Sequence, residues 1–299
     1  MSAALRADHD PARYWAAELL RDGYCIIPDV MPAATIQALH QDLKPRLEQT
    51  PFCDGNFFGS RTKRFGGLLK RSAHAATLVQ HPMMLDILQI VLGPWCERFQ
   101  LNLTQMIEIW PGEPEQVPHR DQDMWRAPRG EMEYLVNVMW PLSPFRAQNG
   151  GTLIWPGTHG KYDGPKPPRS AAIAAEADPG SAVLFLGSTL HSGGANRTTL
   201  PRTGMIASYS LGWLRTYENQ FLVYPPEIAR RFSPELAALV GYQQHLPSLG
   251  NYEGRCPSIL LRGDVPEYVQ FTDALRDDQI APLAQYRARL LAMQQEGAR

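Results

Sequence analysis

The chain has 299 residues, of which 44% are hydrophobic and 20% are charged, and its formal net charge is -1. This composition is typical of a soluble globular protein with a sizeable core. The balanced charge, without a basic stripe, argues against a nucleic-acid partner, and the apolar runs are too short to span a bilayer.

The amino terminus and the cysteines bear on the cellular compartment. The segment MSAALRADHDPARYW lacks a basic stretch followed by an apolar one, so it does not match a secretory signal. The four cysteines are far apart and form no CxxC pair, which predicts reduced thiols rather than disulfides or a zinc site. We therefore expect a cytoplasmic protein.

The first hundred residues are predicted to be mainly helical. Asp10 and Pro11 are a good N-cap and first-turn pair for a helix that stops at Gly23. The short strand YCIIPDV separates this helix from a second one that begins near Pro32. Residues 53–67 are rich in glycine and aromatic residues without a period and are interpreted as a loop, whereas HPMMLDILQIVLG predicts another amphipathic helix.

From about residue 98 the pattern changes to short strands separated by proline, glycine and asparagine turns. In RFQLNLTQMIEIW, strict alternation places Leu101, Leu103, Ile107 and Ile109 on one face. Further strands are predicted in MEYLVNVMW, GGTLIWPGTH, GSAVLFLG and TGMIASYSLGW.

The pattern predicts one domain spanning residues 1–299, a mainly β protein with flanking helices. Its three parts are a mostly helical amino-terminal part, a β-barrel or sandwich core, and a carboxy-terminal loop and helices: residues 1–97, 98–215 and 216–299.

The segment VPHRDQDMW, residues 117–125, contains a histidine and two aspartates at a spacing that suits a metal. On a strand, His119 and Asp121 point to the same face about 7 Å apart at Cα, so both side chains can meet at one ion. Such a pair also arises often by chance, and alone it fits a solvated strand end. Asp123 shares that face and is interpreted as a rim acid rather than a ligand.

A metal site requires another ligand from a different strand. His191 ends the apolar segment SAVLFLGSTL and precedes two glycines, which permit close approach of the backbone. With His119 and Asp121 it would complete a 2-His-1-carboxylate triad, which leaves positions open on Fe(II) for a cosubstrate and O2. His159, after a Pro-Gly turn, is interpreted as structural.

An organic cosubstrate in such a site needs an anchor for its carboxylate. Arg202 begins the next predicted strand, 11 residues after His191, and its guanidinium can hold a carboxylate through charge-assisted hydrogen bonds. Arg197 in the preceding turn is the rival candidate. A solvated arginine at a strand end remains the alternative interpretation of Arg202.

These motifs resemble those of the phytanoyl-CoA dioxygenase family of Fe(II)/2-oxoglutarate-dependent oxygenases. The resemblance covers most of the chain and is strongest in QLNLTQMIEIWPGEPEQVPHRDQDMW, NGGTLIWPGTH, LHSGGANRTTLPR and SYSLGWLRTYENQFL. Within the family, the chain resembles the branch that includes fumitremorgin B endoperoxidase and the fungal meroterpenoid oxygenases. The resemblance implies a double-stranded β-helix (jelly-roll, cupin-like) core with helical additions at both ends.

Carried over position by position, the resemblance makes His119, Asp121 and His191 the ligands of Fe(II). It makes Arg202 the clamp on the distal carboxylate of 2-oxoglutarate. The aspartate ligand is present, so the chain departs from related halogenases, in which a small residue frees that position for halide.

Other residues are candidates for contact with the small molecules. Gln116 and Thr152 match positions that contact 2-oxoglutarate in this branch. Alternation in EYLVNVMW places Asn137 and Met139 on one face, and a mid-strand asparagine is costly without a partner, so we expect both to face the barrel opening. Met124 follows the metal motif closely enough to contribute to the substrate pocket, although ordinary packing explains these three residues equally well.

The resemblance implies an enzyme that oxidises an unactivated C–H bond of a small, largely apolar, natural-product-like substrate with 2-oxoglutarate and O2, giving succinate and CO2. Hydroxylation, desaturation, cyclisation and rearrangement are all open as outcomes, and so is a homodimer. Two alternatives use the same barrel: a divalent-metal hydrolase or lyase, and a non-catalytic binding protein.

Overall fold

A computed structural model describes residues 10–263 and 265–297. Residues 1–9, on which the expectation about a secretory signal depends, lie outside these ranges. The α-helices are α1 (Pro11–Asp22), α2 (Ala33–Gln49), α3 (Ala73–Val79), α4 (Pro82–Leu92), α5 (Gln220–Val223), α6 (Pro226–Ala229), α7 (Pro234–Leu239) and α8 (Asp277–Gly297). The strands are β1 (Tyr24–Ile27), β2 (Thr62–Gly66), β3 (Phe99–Ile109), β4 (Leu135–Pro141), β5 (Thr152–Ile154), β6 (Ile173–Ala174), β7 (Ala182–Leu186), β8 (His191–Gly193) and β9 (Arg202–Leu211).

The first helix forms where capping chemistry predicts it. The Asp10 side chain accepts a hydrogen bond from the backbone N–H of Ala12, and Pro11 occupies the first turn. The helix ends at Gly23, which adopts a left-handed φ of 81° and donates its N–H to the carbonyl of Leu19. The predicted helices α2 and α4 and the strand β1 are also confirmed.

Six antiparallel strands form the larger sheet, in the order β1-β7-β4-β9-β3-β2. Its outer face carries a core into which α1, α2 and α4 pack, and Val136, Val138 and Trp140 of β4 point into that core. Asn137 and Met139 point to the opposite, inner face, as the alternation predicts.

A smaller sheet, in the order β6-β5-β8, covers the inner face of the larger one. A second apolar cluster joins the two sheets and includes Ile154 of the small sheet with Ile109, Phe185 and Ile206 of the large one. A cavity opens between the sheets beside this cluster. The prediction of a mainly β protein with flanking helices is confirmed.

The strict alternation predicted for β3 is wrong at one position. The register with β9 shifts between Leu101 and Leu103, so Asn102 is an extra residue in a β-bulge. As a result Leu101 packs into the outer core, whereas Leu103 and Ile107 face the cavity. A bulge leaves no mark in hydrophobic alternation, because the apolar residues keep their even spacing.

The prediction that residues 53–67 form a loop is wrong for one third of the segment. Thr62–Gly66 form β2, which pairs with β3 from Thr62 opposite Ile109 to Gly66 opposite Gln105. The strand has little apolar character of its own, and Phe65 is its one residue in the outer core, so hydrogen bonds to β3 hold most of its length.

No single helix in the described ranges is long and apolar enough to cross a membrane; only Ala73–Val79 and Pro82–Trp95, bent by 44°, pass such a test together, by length and composition.

Candidate metal centre

The structure brings together the three side chains that the sequence predicted as ligands. One ligand atom from each of His119, Asp121 and His191 lies within 4.8 Å of the other two. The Nε2 atoms of His119 and His191 are each 3.5 Å from a different oxygen of the Asp121 carboxylate. Two imidazole nitrogens and one carboxylate oxygen in this arrangement suit a divalent transition metal such as Fe(II).

The two histidines are held by each other's backbone. The N–H of His119 donates to the carbonyl of His191 at 2.9 Å, and the reverse hydrogen bond is 3.0 Å long. Each Nδ1 lies about one hydrogen-bond length from a backbone carbonyl, 2.8 Å from Val117 and 3.0 Å from Thr189. Because Nδ1–H donates there, each Nε2 keeps its lone pair for a metal.

Asp121 reaches the centre by a route that differs from the predicted strand. It is the first residue of a 3-10 turn, Asp121–Met124. Of the two residues predicted on that strand, His119 forms a β-bridge, with His191, and Asp121 does not. Asn137 donates from Nδ2 to the Asp121 carboxylate at 2.9 Å and so fixes its orientation. Burial opposes ionisation, but the charges and hydrogen bonds of His191 and His119 outweigh it and hold the pKa of Asp121 below its usual range.

Asp123 lies away from this centre. It forms an ion pair with Arg129 at 3.1 Å, and nearly half of its side chain is exposed. This position agrees with the interpretation of Asp123 as a rim acid. The ring of His159 hydrogen-bonds the carbonyl of Leu20 at 2.9 Å, which agrees with its structural interpretation.

Arg202 is buried in the wall of the same cavity. Its Nε and Nη2 atoms both donate to the carbonyl of Gly150, and its guanidinium lies 4.2 Å from the centroid of the Phe145 ring. Nη1 has no partner within the described residues. Burial, with the nearby charge of Arg64, lowers the pKa of Arg202 to about 9. A buried cation with a free nitrogen is suited to a carboxylate.

The rival arginine, Arg197, is exposed and lines a different surface depression. Its backbone N–H bonds the carbonyl of Gln148. The geometry therefore favours Arg202 as the anchor for a cosubstrate.

The remaining predicted residues also line the cavity. Gln116 uses its amide to join two segments: Oε1 accepts from the N–H of Gly193, and Nε2 donates to the carbonyl of Phe57. Thr152 is buried in β5 beside β8, and Met139 is buried on the inner face of β4. Met124 lies at the mouth, 41% exposed.

Sequence reasoning missed six polar residues of the cavity wall, which are Arg64, Asn102, Gln105, Ser192, Ser208 and Tyr217. Arg64 lies on β2, stacks over the Phe58 ring at 5.1 Å and donates to Gln105. Burial lowers its pKa. A charged residue beside Phe65 in the alternating stretch TKRFG was the available signal, but the segment was interpreted as a loop.

Comparison with known proteins agrees with the geometry. Residues 19–204 match the phytanoyl-CoA dioxygenase (PhyH) family. The dioxygenase FrzG of Cladobotryum sp. is 31% identical over 256 residues, covering 76% of this chain and 83% of that protein. The multifunctional dioxygenase ausE of Aspergillus calidoustus is 29% identical over 252 residues, covering 78% and 84%. The expected likeness to fungal enzymes is confirmed.

Solved structures share the fold. The epimerase SnoN, in complex with Fe3+, alpha ketoglutarate and nogalamycin RO, matches with a TM-score of 0.56 and 19% identity over 68% of this chain and 85% of that chain. HygX from Streptomyces hygroscopicus, with nickel and 2-oxoglutarate bound, matches with a TM-score of 0.53 and 13% identity over 69% and 89%.

These likenesses confirm the jelly-roll core, and the neighbours bind iron or nickel together with 2-oxoglutarate. The two imidazoles and one carboxylate of this chain fit iron. The chain thus belongs to the phytanoyl-CoA dioxygenase family, as a non-haem iron dioxygenase that uses 2-oxoglutarate and O2.

Proposed function

We propose that this enzyme oxidises an unactivated C–H bond of a small, largely apolar, natural-product-like molecule, with His119, Asp121 and His191 as the iron ligands. The observation that carries the proposal is the position of the triad. It faces a cavity that also holds the free nitrogen of the buried Arg202. A three-ligand site leaves metal positions open for a cosubstrate and O2.

The iron, when bound with 2-oxoglutarate and O2, supplies the oxidising power. The residues of the chain hold and orient the reactants. Arg202 binds the distal carboxylate of 2-oxoglutarate through Nη1, and the Gly150 carbonyl fixes the guanidinium from its other edge. Gln116 and Thr152 complete that subsite from the cavity wall.

Apolar side chains keep water from the reacting carbon. The rings of Phe57 and Phe185 lie 4.9 Å and 4.6 Å, centroid to centroid, from His119 and His191 respectively. Apolar side chains also dominate the wall around the triad: Leu103, Ile107, Met139, Phe185 and Ile206. This lining supports a substrate that presents hydrocarbon to the metal.

The names of relatives and neighbours support a natural-product substrate without fixing the outcome. One relative is a multifunctional dioxygenase, and two neighbours from nogalamycin biosynthesis are an epimerase and a carbocyclase. We infer that the outcome in this chain, whether hydroxylation, desaturation, cyclisation or rearrangement, depends on how the cavity walls would hold the reacting carbon relative to the iron ligands His119, Asp121 and His191.

The two aspartates of VPHRDQDMW provide a matched test. We expect Asp121→Ala to lose Fe(II) binding, measured by anaerobic titration calorimetry, and to release no succinate from 2-oxoglutarate in air with ascorbate. Asp123→Ala should retain both within about twofold, because its partly exposed pair with Arg129 contributes little. Circular dichroism checks that both variants are folded.

Two results would contradict the proposal. Retention of Fe(II) by Asp121→Ala would exclude Asp121 as a ligand. Iron binding by the wild-type protein without any release of succinate would favour the hydrolase or the binding protein over the oxygenase.

A further inference from the structure

The bulge in β3 places an amide donor in the cavity wall. Asn102 is fully buried, and its Oδ1 accepts a hydrogen bond from the backbone N–H of Tyr217 at 2.7 Å. Only the carbonyl oxygen of the amide can accept that bond, so the orientation of the side chain is fixed. Nδ2 therefore remains as a donor, and it has no partner in the described part of the chain.

A second unpartnered group lies on the neighbouring strand. Ser208 of β9 is 1% exposed and lines the same cavity, and its hydroxyl bonds no other atom of the described residues. In the sheet register, Ser208 is opposite Leu103, the residue after Asn102, on one side and opposite Asn137 on the other. Two buried donors without acceptors are costly unless a ligand satisfies them.

These two residues define a recess at one end of the cavity, and Arg202 lies at the other end. Arg202 and Ser208 are six residues apart on the inner face of β9, a distance of about 20 Å along a strand. The recess is thus separate from the anchor proposed for 2-oxoglutarate. It is close to the metal, because Asn137, directly across from Ser208, bonds Asp121.

We propose that Asn102 and Ser208 form a hydrogen-bonding subsite for a neutral carbonyl oxygen of the substrate, which sets the oxidised C–H bond a few bonds from that carbonyl. This subsite belongs to the proposed function, because its ligand is a substrate only if the protein is the oxygenase proposed above. Asn102 donates from Nδ2 and Ser208 from its hydroxyl, and one carbonyl oxygen has two lone pairs to accept both bonds.

The charges around the recess favour a neutral group over a carboxylate. Both free donors are uncharged, and a buried carboxylate needs a cation to offset its desolvation. The cation on the adjoining wall, Arg64, is opposite Ile107, four residues or about 13 Å along β3 from Leu103. Its Nη1 is bonded to Gln105 and its Nε has no partner among the described residues, so the separation along the strand is what keeps this charge from the recess.

A fragment titration tests the recess without requiring turnover. The protein is loaded with Zn(II) and 2-oxoglutarate, and 1-indanone, indane and indane-1-carboxylate are titrated with ligand-observed NMR. We expect 1-indanone to bind about tenfold tighter than indane, from two hydrogen bonds of ordinary strength. Indane-1-carboxylate should bind more weakly than 1-indanone.

Three variants assign the preference to the recess. Ser208→Ala removes one donor, and Asn102→Asp removes the other while keeping an oxygen for the N–H of Tyr217. Each should reduce the preference for 1-indanone several-fold. Ser210→Ala is the matched control, since Ser210 is a buried serine two residues further on β9 that does not line the cavity and whose hydroxyl has no partner in the described ranges. It should keep the full preference.

Equal binding of 1-indanone and indane to the wild-type protein would overturn the proposal, as would a preference that survives both recess variants. If indane-1-carboxylate bound most tightly of the three compounds, the proposed preference for a neutral group would be wrong. Absence of iron-dependent succinate release would contradict the proposed function instead. That result would not affect the evidence for binding of a carbonyl group at Asn102 and Ser208.

Discussion

The two faces of the six-stranded sheet differ in the polar side chains that they bury. The outer face, against the helices, is apolar along its strands, with Val138, Trp140 and Met205 among its residues. The inner face carries Asn137, Arg202 and Ser208 at similar depth. The outer face buries polar atoms too, and those of Thr104 and Tyr209 find partners in the helix-packed core, although Nε1 of Trp140 has none among the described residues. The inner face instead gathers its polar side chains around a cavity, and buried polar groups that line a cavity mark the face that binds ligands.

Strand β9 makes the same contrast within ten residues. Its outward residues Met205, Ala207 and Tyr209 belong to the helix-packed core. Its inward residues include Arg202 and Ser208, each with a polar atom that has no partner among residues 10–263 and 265–297. We conclude that the outer residues determine whether the chain folds, whereas the inner ones determine what it binds.

The largest effect that tests this contrast is expected on the outer face. Trp140 is fully buried and packs near His81, so Trp140→Ala should lower the free energy of unfolding by about 3–5 kcal/mol. Ser208→Ala, on the inner face, should change it by less than about 0.5 kcal/mol, because the lost hydroxyl has no partner among the described residues. Urea unfolding measures both. Similar losses in the two variants would remove the distinction between the faces.

The second effect concerns an acid where β4 begins. Glu133 is buried and its carboxylate accepts a hydrogen bond from the Ser188 hydroxyl at 2.8 Å. Burial raises the pKa of Glu133 to about 7 from 4.5, against the opposing effect of the Ser188 hydrogen bonds. Between these values the folded chain keeps a proton that the unfolded chain has lost. Stability therefore falls as pH rises through this range, by roughly 3 kcal/mol in total.

Glu133→Gln isolates that contribution. The difference in unfolding free energy between this variant and the wild-type protein should grow from pH 4.5 to 7 and stay constant above, with the variant the more stable at pH 8. Urea titrations at four or five pH values measure it. A difference independent of pH would show that Glu133 titrates normally in the folded state.

The smallest of the three effects is on the inner face. Arg202→Met should weaken binding of 2-oxoglutarate by about 10- to 150-fold, the contribution of one or two charge-assisted hydrogen bonds. Its unfolding free energy should stay within about 1 kcal/mol of wild type, because the substitution also removes a buried charge. Arg197→Met is the control and should bind 2-oxoglutarate normally. Weakened binding in the control alone would move the anchor to Arg197.

Much of the fold followed from local chemistry. The first helix begins at the Asp10–Pro11 pair and ends at Gly23, and interactions among near neighbours fix both ends. Alternation in β4 likewise placed Asn137 and Met139 on the cavity side. Such features depend on residues a few positions apart, and those are visible in a sequence. His119, Asp121 and His191 were found because the chemistry of a metal restricts its ligands to a few residue types.

The errors lie where distant partners decide the conformation. Strand β2 forms because β3 offers it hydrogen bonds. Since this segment was predicted to be a loop, Arg64 was not identified as a residue of the cavity wall. Asp121 lies in a turn because the next residue, Gln122, bonds Gly187, a residue far along the chain. The partners of Asn102 and Ser208 could not be read from sequence either, since an unpartnered atom is recognised only when its surroundings are known.

The extra residue in β3 has a consequence for how such a cavity diverges. With Asn102 removed, Leu101 and Leu103 would alternate regularly and still face the outer core and the cavity, as they do now. The bulge thus adds an amide to the cavity without altering either neighbour's environment. A single-codon insertion or deletion at this position would add or remove one of the two proposed donors, Ser208 being the other, together with the hydrogen bonds that Asn102 accepts from Tyr217 and Glu218, while Leu101 and Leu103 keep their faces.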